Sequence, residues 1–191
     1  MVSPPTRILL ISGSLRAGST NTALLRTAQA VAPDGTIALM YEGLGRLPHF
    51  NPDDDIVPLH PSVADLRMRI ADADALLFST PEYAGALPGS FKNFLDWTVG
   101  GGETYGMPVA WINASGSPTG AADAHRSLRT VLGYTGSAIV EQACAHIPVA
   151  RSAVGSNGLI ADEVIRRQIA DVLRTLASEV GNRVQPSGQL G

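Results

Sequence analysis

Ile8–Asn21 reads ILLISGSLRAGSTN, and this stretch decides the fold. It joins a run of apolar residues to a loop of glycines and hydroxyls, and then to a helical segment in which Leu24, Ala28 and Val31 share one face. A short apolar run that ends at a turn is typical of a strand buried on both faces. Backbone N–H groups in such a loop and in the first helical turn have no partner inside the helix. The stretch therefore predicts a strand–loop–helix unit whose loop binds an anion.

The same loop carries side chains that donate hydrogen bonds to an anion. They lie at Ser14, Arg16, Ser19, Thr20 and Asn21. No lysine follows Gly18, as a nucleotide-hydrolysing phosphate loop requires, and the glycine spacing does not match the dinucleotide fingerprint. We therefore expect the loop to bind the phosphate group of a cofactor. This phosphate anchors the cofactor and does not itself react. The alternative is an ordinary strand–helix connection that uses Ser and Gly as capping residues.

A second informative segment spans residues 79–97 and reads STPEYAGALPGSFKNFLDW. It follows the apolar run Ala75–Phe78, which has the length of another buried strand. In an open α/β sheet, ligands bind in the crevice outside the carboxyl ends of the strands. The two segments are therefore expected to contribute to one site.

With both segments in view, the chain resembles the NADPH-dependent FMN reductase family of flavodoxin-like proteins. That family carries a loop of the form GSLRxxSxN and a segment of the form PEYNxxxPGxLKNxxDW. The matching residues here are Gly13-Ser14-Leu15-Arg16, Ser19 and Asn21, then Pro81-Glu82-Tyr83, Pro88-Gly89, Lys92-Asn93 and Asp96-Trp97. The resemblance covers roughly residues 6 to 180. Ala84 replaces the family's Asn and Phe91 replaces an aliphatic residue, so any side-chain bond from position 84 to the flavin is lost.

Alternating apolar runs and helical patterns predict an α/β fold, because strands separated by helices form parallel sheets. The expected strands are Arg7–Ser12, Thr36–Tyr41, Ala75–Ser79, Val109–Asn113 and Ala138–Ala145. The expected helices are Asn21–Val31, Pro61–Ala71, Pro88–Val99, Ala121–Leu132 and Asp162–Val180. We expect a flavodoxin-like three-layer sandwich with a five-stranded parallel sheet in the order 2-1-3-4-5. We expect the whole chain, residues 1–191, to be a single domain, which the resemblance implies binds FMN. Its core lies at about 6–181, followed by a flexible tail at 182–191.

Composition excludes several other classes of protein. The chain has 191 residues, 45% apolar and 16% charged, with a formal net charge of −3. Scattered basic residues argue against nucleic acid, and the apolar runs are too short for a membrane span. Cys144 has no second cysteine to pair with, which favours a cytoplasmic location. The partner that the family resemblance implies is a small-molecule electron acceptor.

FMN, implied by the resemblance, needs a phosphate site, ribityl contacts and a slot for its ring. The first loop provides the phosphate site, and Pro81, Glu82, Tyr83 and Ala84 lie along the ring edge. A third loop, residues 114–120, follows the fourth strand and reads ASGSPTG. Backbone N–H groups at Ser115 and Gly116 are positioned to stabilise negative charge on a reduced flavin. The alternative is that this third loop is an ordinary connection between a strand and a helix. The resemblance favours a role in flavin binding.

The resemblance implies an NAD(P)H-dependent oxidoreductase that uses NADPH or NADH as donor and a flavin, quinone or similar acceptor. Because the cofactor carries the chemistry, we expect no catalytic acid or nucleophile. His49, His60, His125 and His146 are interpreted as surface or satisfied core histidines, and Cys144 as a packing residue. Two alternatives stay open. One is a flavodoxin-like electron carrier without nicotinamide turnover, and the other is a sensor of a phosphate ligand.

Two further segments allow two interpretations each. Phe91, Phe94, Leu95 and Trp97 are typical of core packing, but in the resembling family their helix and Tyr83 form a subunit interface. We favour the interface, and with it a homodimer or homotetramer. The acidic run Asp53–Asp55 is interpreted as a solvated loop rather than a metal site, because neighbouring side chains point in different directions.

Overall fold

A computed structural model describes residues 4–184 of the chain, and its parallel sheet follows the predicted apolar runs closely. The strands are β1 (Thr6–Ser12), β2 (Thr36–Tyr41), β3 (Ala75–Ser79), β4 (Pro108–Asn113), β5 (Ala138–Ile139) and β6 (Ala145–His146). They are arranged in the order β2-β1-β3-β4-β5, and β6 also pairs with β4. All of these pairs are parallel. The predicted order 2-1-3-4-5 is confirmed.

The helices connect successive strands, as a parallel sheet requires. They are α1 (Thr20–Ala30), α2 (Pro61–Ala71), α3 (Gly89–Asp96), α4 (Ala122–Tyr134) and α5 (Glu163–Val184). α3 ends three residues before the predicted boundary, because a run of turns over residues 97–101 follows it. α5 continues through residues 182–184, where a tail was predicted, while residues 185–191 of that tail lie outside the described residues.

Two apolar cores lie on the two faces of the sheet. Alternate residues of β1 point to opposite faces, so Ile8 and Leu10 join one core while Leu9 and Ile11 join the other. α1 and α5 cover the first face, and α2, α3 and α4 cover the second. This is the predicted three-layer sandwich. Within residues 4–184, no helix is both long enough and apolar enough to cross a bilayer.

The fifth strand differs from its prediction. Instead of one strand over 138–145, β5 and β6 are short pieces separated by a 3₁₀ turn at Glu141–Ala143. The turn directs Glu141 towards Arg129 of α4, with which it forms a bidentate ion pair. The Arg129 guanidinium also lies 5.0 Å from the centre of the Trp111 ring on β4. Apolar patterning could not reveal this break, because the partner residues lie on other elements.

The aromatic residues of α3 and the turn after it also correct a prediction. Phe91, Phe94 and Leu95 are fully buried within the protomer, and Trp97 is 1% exposed. The Phe91 and Phe94 rings stack with centroids 5.7 Å apart, and Trp97 Nε1 donates to Pro48 O at 2.9 Å. These side chains are therefore core, and the predicted subunit interface through them is wrong. Tyr83, which was predicted to form that interface together with the helix, is 52% exposed.

Candidate functional site

Three loops meet at the carboxyl edge of the sheet. Loop 1 (residues 13–19) follows β1, loop 2 (residues 80–88) follows β3, and loop 3 (residues 114–121) follows β4. β2 lies on one side of β1 and β3 on the other, so the chain reverses direction across the sheet at β1. This reversal opens the crevice in which open α/β sheets bind ligands.

Loop 1 is held by its own hydroxyl groups. Ser19 is the N-cap of α1, and its Oγ accepts from Thr22 N at 3.4 Å. Ser14 Oγ accepts from Arg16 N at 3.3 Å. A hydroxyl that accepts a hydrogen bond keeps its own hydrogen for another partner. Ser14 and Ser19 thus shape the loop and retain a donor each, while the exposed Arg16 contributes positive charge.

Loops 1 and 2 touch at Gly13. A Cβ atom at this position would fall on Thr80 Oγ1, 2.7 Å from Thr80 Cβ and 3.1 Å from Phe91 Cδ1. Gly13 N also donates to Ser79 O at 2.9 Å. Only glycine allows the backbone of loop 1 to approach loop 2 this closely.

Asn21 is buried behind the loops instead of being exposed on them. Ser79 Oγ lies 2.9 Å from Asn21 Oδ1 and 2.8 Å from Ile112 O. The side chain of Asn21 therefore ties the start of α1 to β3 and β4. Its neighbour Thr20, at the first position of α1, lines the cleft between the loops.

Loop 2 contains a tight turn whose two central residues have positive φ. Tyr83 and Ala86 exchange two backbone hydrogen bonds of 3.1 Å, and between them Ala84 has φ 51° and Gly85 has φ 71°. Such turns favour Asn followed by Gly. The Asn that the related motif carries at position 84 thus has a conformational reason, separate from any bond to a flavin.

Ala84→Asn is expected to stabilise the protein. Alanine in the left-handed region is strained, whereas Asn visits this region routinely, so the free energy of unfolding should rise by about 0.5 kcal/mol. Ala86→Asn is the matched control, since Ala86 is not at positive φ. Urea denaturation measures both. An equal effect of the two substitutions would show that the turn does not carry this strain.

Glu82 has a role that the sequence did not reveal. Its Oε2 accepts from Asp123 N at 2.9 Å and from Ala124 N at 3.2 Å, in the first turn of α4. The residue before this helix, Ala121, has φ 60° and provides no side-chain cap. A carboxylate is the favoured partner for these N–H groups. Glu82 thus links loop 2 to the end of loop 3. Only its backbone groups remain to contact the edge of a flavin ring, as predicted for this segment.

Loop 3 is closed by Asn113, which the sequence analysis did not single out. Asn113 Nδ2 donates to Gly120 O at 2.9 Å, and Asn113 Oδ1 accepts from Ser115 N at 2.9 Å. His146 Nε2 lies 2.8 Å from Ser115 O. Gly116 is exposed, and a Cβ atom there would meet nothing within 4 Å. The backbone of Ser115 is thus held from two sides.

Seven of the eleven residues predicted for the site line one of two concavities near loop 1, and the other four, Ser19, Tyr83, Ala84 and Gly116, line neither. A cleft of about 260 Å³ lies between the start of α1, loop 2 and loop 3, and its walls include Thr20, Asn21, Pro81, Glu82 and Ser115. A larger concavity of about 470 Å³ lies on the β2 side, lined in part by Ser14 and Arg16. The smaller cleft lies at the reversal of strand order, so we assign it as the candidate site despite its size.

The histidines and Cys144 do not form a catalytic group. Burial lowers the pKa of His125, whose Nδ1 lies 2.6 Å from Ala121 O. Its Nε2 has no partner within the described part of the chain, so His125 is a core histidine satisfied at only one nitrogen. Burial raises the pKa of Cys144 to about 11, which disfavours a reactive thiolate. Among residues 4–184, no group of three or more metal-ligating side chains is present.

Comparisons with known proteins agree with this geometry. A family model described as NADPH-dependent FMN reductase matches residues 6–151. The chain is 33% identical over 177 residues to an NAD(P)H-dependent FMN reductase of Pseudomonas aeruginosa, covering 92% of this chain and 95% of the relative. It is 33% identical over 181 residues to a 2-hydroxy-1,4-benzoquinone reductase of Burkholderia sp, covering 93% and 97%.

A solved structure shares the fold over nearly the whole chain. It is a flavoenzyme NAD(P)H:(acceptor) oxidoreductase from Paracoccus denitrificans, with a TM-score of 0.81 and 29% identity. The match covers 93% of this chain and 98% of that one. The likeness therefore includes the sheet and the three loops at its carboxyl edge.

Proposed function

Because the chain belongs to the NADPH-dependent FMN reductase family, we propose that it passes electrons from NADPH or NADH through bound FMN to a quinone-type acceptor. One observation carries this proposal. Three loops from β1, β3 and β4 converge on the reversal of strand order, and direct contacts join them. Gly13 packs on Thr80, and Glu82 caps α4 after loop 3.

The residues present fit FMN by the chemistry of their donors. Loop 1 offers a dianionic phosphate the Arg16 charge, the hydroxyls of Ser14, Ser19 and Thr20, and the free N–H groups at the start of α1. Apart from Glu82, whose carboxylate accepts from the first turn of α4, the cleft is lined by neutral polar and apolar groups, which suit the edge of an uncharged ring. At about 260 Å³ it is smaller than most sites that enclose a whole ligand. One face of the ring would thus stay open to a substrate.

Each loop has a separate task in this proposal. Loop 1 binds the phosphate and keeps the cofactor in register. In loop 2 the backbone from Pro81 to Ala84 orients the ring edge. In loop 3 the Gly116 N–H offsets negative charge that develops on the ring, whereas the Ser115 N–H, predicted to do the same, is already donated to Asn113 Oδ1 and holds the loop in shape. Bound FMN itself supplies the hydride chemistry, accepting electrons from a nicotinamide and releasing them to the acceptor.

The test combines a spectrum with an anaerobic titration. We expect the purified protein to show a flavin spectrum, to lose its yellow colour when NADPH or NADH is added without oxygen, and to regain it with a benzoquinone. Steady-state rates should give parallel double-reciprocal lines, because donor and acceptor use the same site in turn. FMN should bind at least about tenfold more tightly than riboflavin, which lacks the phosphate.

Other outcomes would contradict the proposal in distinct ways. A yellow protein that neither nucleotide bleaches would be an electron carrier. A protein that binds phosphate ligands but never FMN would be a sensor. Equal affinity for FMN and riboflavin would show that loop 1 does not bind the phosphate.

Assembly and location belong to the same proposal. We propose a homodimer or homotetramer in the cytoplasm, with Tyr83 beside the open cleft at the contact. Its large exposed ring supports this placement, because tyrosine is enriched at protein interfaces. Light scattering at high concentration measures the assembly, and a fully active monomer would contradict it.

A further inference from the structure

Apart from Ser14 and Arg16, the residues that line the larger concavity on the β2 side of loop 1 have no role in the proposal so far. One wall is loop 1 itself, where Leu15 is 59% exposed and reaches towards Gly45. The other wall is the end of β2 and the residues after it, and α1 contributes Arg26. With about 470 Å³, the concavity is large enough for part of a small-molecule ligand.

Three charged side chains line this concavity, namely Arg16, Arg26 and Glu42. Arg26 Nη2 lies 3.8 Å from Glu42 Oε1, and the two side chains are 51% and 71% exposed. An exposed pair at this distance contributes little to stability, so a ligand can replace either partner at small cost. The concavity thus offers an arginine and a carboxylate side by side.

The position of the concavity relative to the cleft suggests its ligand. β2 and β3 are the two neighbours of β1, so the concavity and the cleft lie about two strand spacings apart, roughly 10 Å. A nicotinamide nucleotide that brings its ring to the cleft must place its pyrophosphate and adenosine elsewhere. Loop 1 forms one wall of the concavity, and Thr20 and Asn21, which follow it on α1, line the cleft, so a nucleotide that reaches both spaces crosses this segment.

We propose, resting on the function proposed above, that the concavity binds the adenosine half of the nicotinamide nucleotide and that Arg26 and Glu42 determine which nucleotide is preferred. A carboxylate accepts hydrogen bonds from the ribose 2′-hydroxyl of NADH. A neighbouring arginine accommodates the 2′-phosphate of NADPH. Glu42 repels that phosphate, so the two side chains act in opposite directions.

Opposite shifts from two single substitutions test this assignment. NADP⁺ and NAD⁺ do not reduce the flavin, so calorimetry can measure their dissociation constants on the FMN-loaded protein. Arg26→Ala should weaken the binding of NADP⁺ about fivefold relative to the binding of NAD⁺. Glu42→Gln should shift the ratio of the two dissociation constants about fivefold in the opposite direction. The KM values for NADPH and NADH should move in the same directions. Arg174→Ala and Asp171→Asn, in an exposed ion pair on α5, are matched controls that should leave the ratio unchanged.

The results separate this inference from the proposed function. If the protein oxidises either nucleotide but both substitutions leave the NADP⁺/NAD⁺ ratio unchanged, the assignment of the concavity is wrong and the function stands. If the protein oxidises neither nucleotide, the function fails, and binding alone decides the assignment. Opposite shifts in affinity would then support it, and absence of nucleotide binding would overturn it.

Discussion

Gly13→Ala is expected to cost about 2 kcal/mol, divided between the stability of the folded protein and its affinity for FMN, which falls by up to about thirtyfold. The added methyl group would overlap Thr80 and press on the fully buried Phe91. Overpacking of a buried site costs about 1–3 kcal/mol, unless the surrounding backbone moves. If loop 1 moves to relieve the overlap, FMN binding must restore the strained arrangement, and about 2 kcal/mol corresponds to roughly thirtyfold in affinity.

Two variants make this expectation specific. Gly89→Ala adds the same methyl group at the start of α3, where nothing lies within 4 Å, so it should leave stability nearly unchanged. Gly13→Ala combined with Thr80→Gly removes the obstructing atoms and should recover part of the FMN affinity. Flavin fluorescence measures binding, and urea denaturation of the flavin-free protein measures stability. Wild-type affinity in the single Gly13 variant would show that the approach of the two loops is not required.

Arg67→Met should be the most destabilising single substitution on the surface of α2, at about 3–4 kcal/mol. Arg67 Nη2 lies 2.8 Å from Asp55 Oδ1 and donates to Trp97 O at 2.9 Å, and Nε lies 3.4 Å from Glu103 Oε1. All three charged side chains are less than 15% exposed. Removing the guanidinium leaves two largely buried carboxylates and a carbonyl group without their shared donor.

The same helix provides the matched control for Arg67. Arg69 also pairs with a carboxylate, Asp65, at 3.3 Å, but the two side chains are 53% and 37% exposed. Arg69→Met should therefore change the free energy of unfolding by less than about 0.5 kcal/mol. Arg67→Lys keeps the positive charge but loses the planar guanidinium group. The stability that it costs should therefore lie between the costs of Arg67→Met and Arg69→Met. Equal denaturation midpoints for the two methionine variants would contradict this account of the Arg67 cluster.

This cluster also corrects the expectation for the acidic run before α2. Asp55 was interpreted as part of a solvated loop, yet it forms a largely buried ion pair with Arg67. Gly100 and Gly101 allow this packing, because a Cβ atom at either position would overlap Asp55 or Glu103. The glycine run after α3 thus permits a close contact, which its composition alone did not indicate.

Several features of the protein were determined by the sequence alone. β2, β3 and α2 begin and end at the predicted residues, and the strand order was predicted correctly. These features depend on local patterns, namely apolar runs, helical periodicity and the need for crossover connections between parallel strands. The two motifs at the carboxyl ends of β1 and β3 likewise predicted at which edge of the sheet the candidate site lies.

The tertiary structure decided which groups contact one another. Periodicity showed that Phe91 and Phe94 are buried, but only the fold showed that they pack inside the protomer. Glu82 caps a helix that begins 40 residues later, and Gly13 fits against Thr80 on another loop. Such contacts depend on the relative placement of distant elements, which no local pattern encodes. The sequence therefore determined the strands, the helices and the loops of the site, while long-range packing decided what each side chain in those loops does.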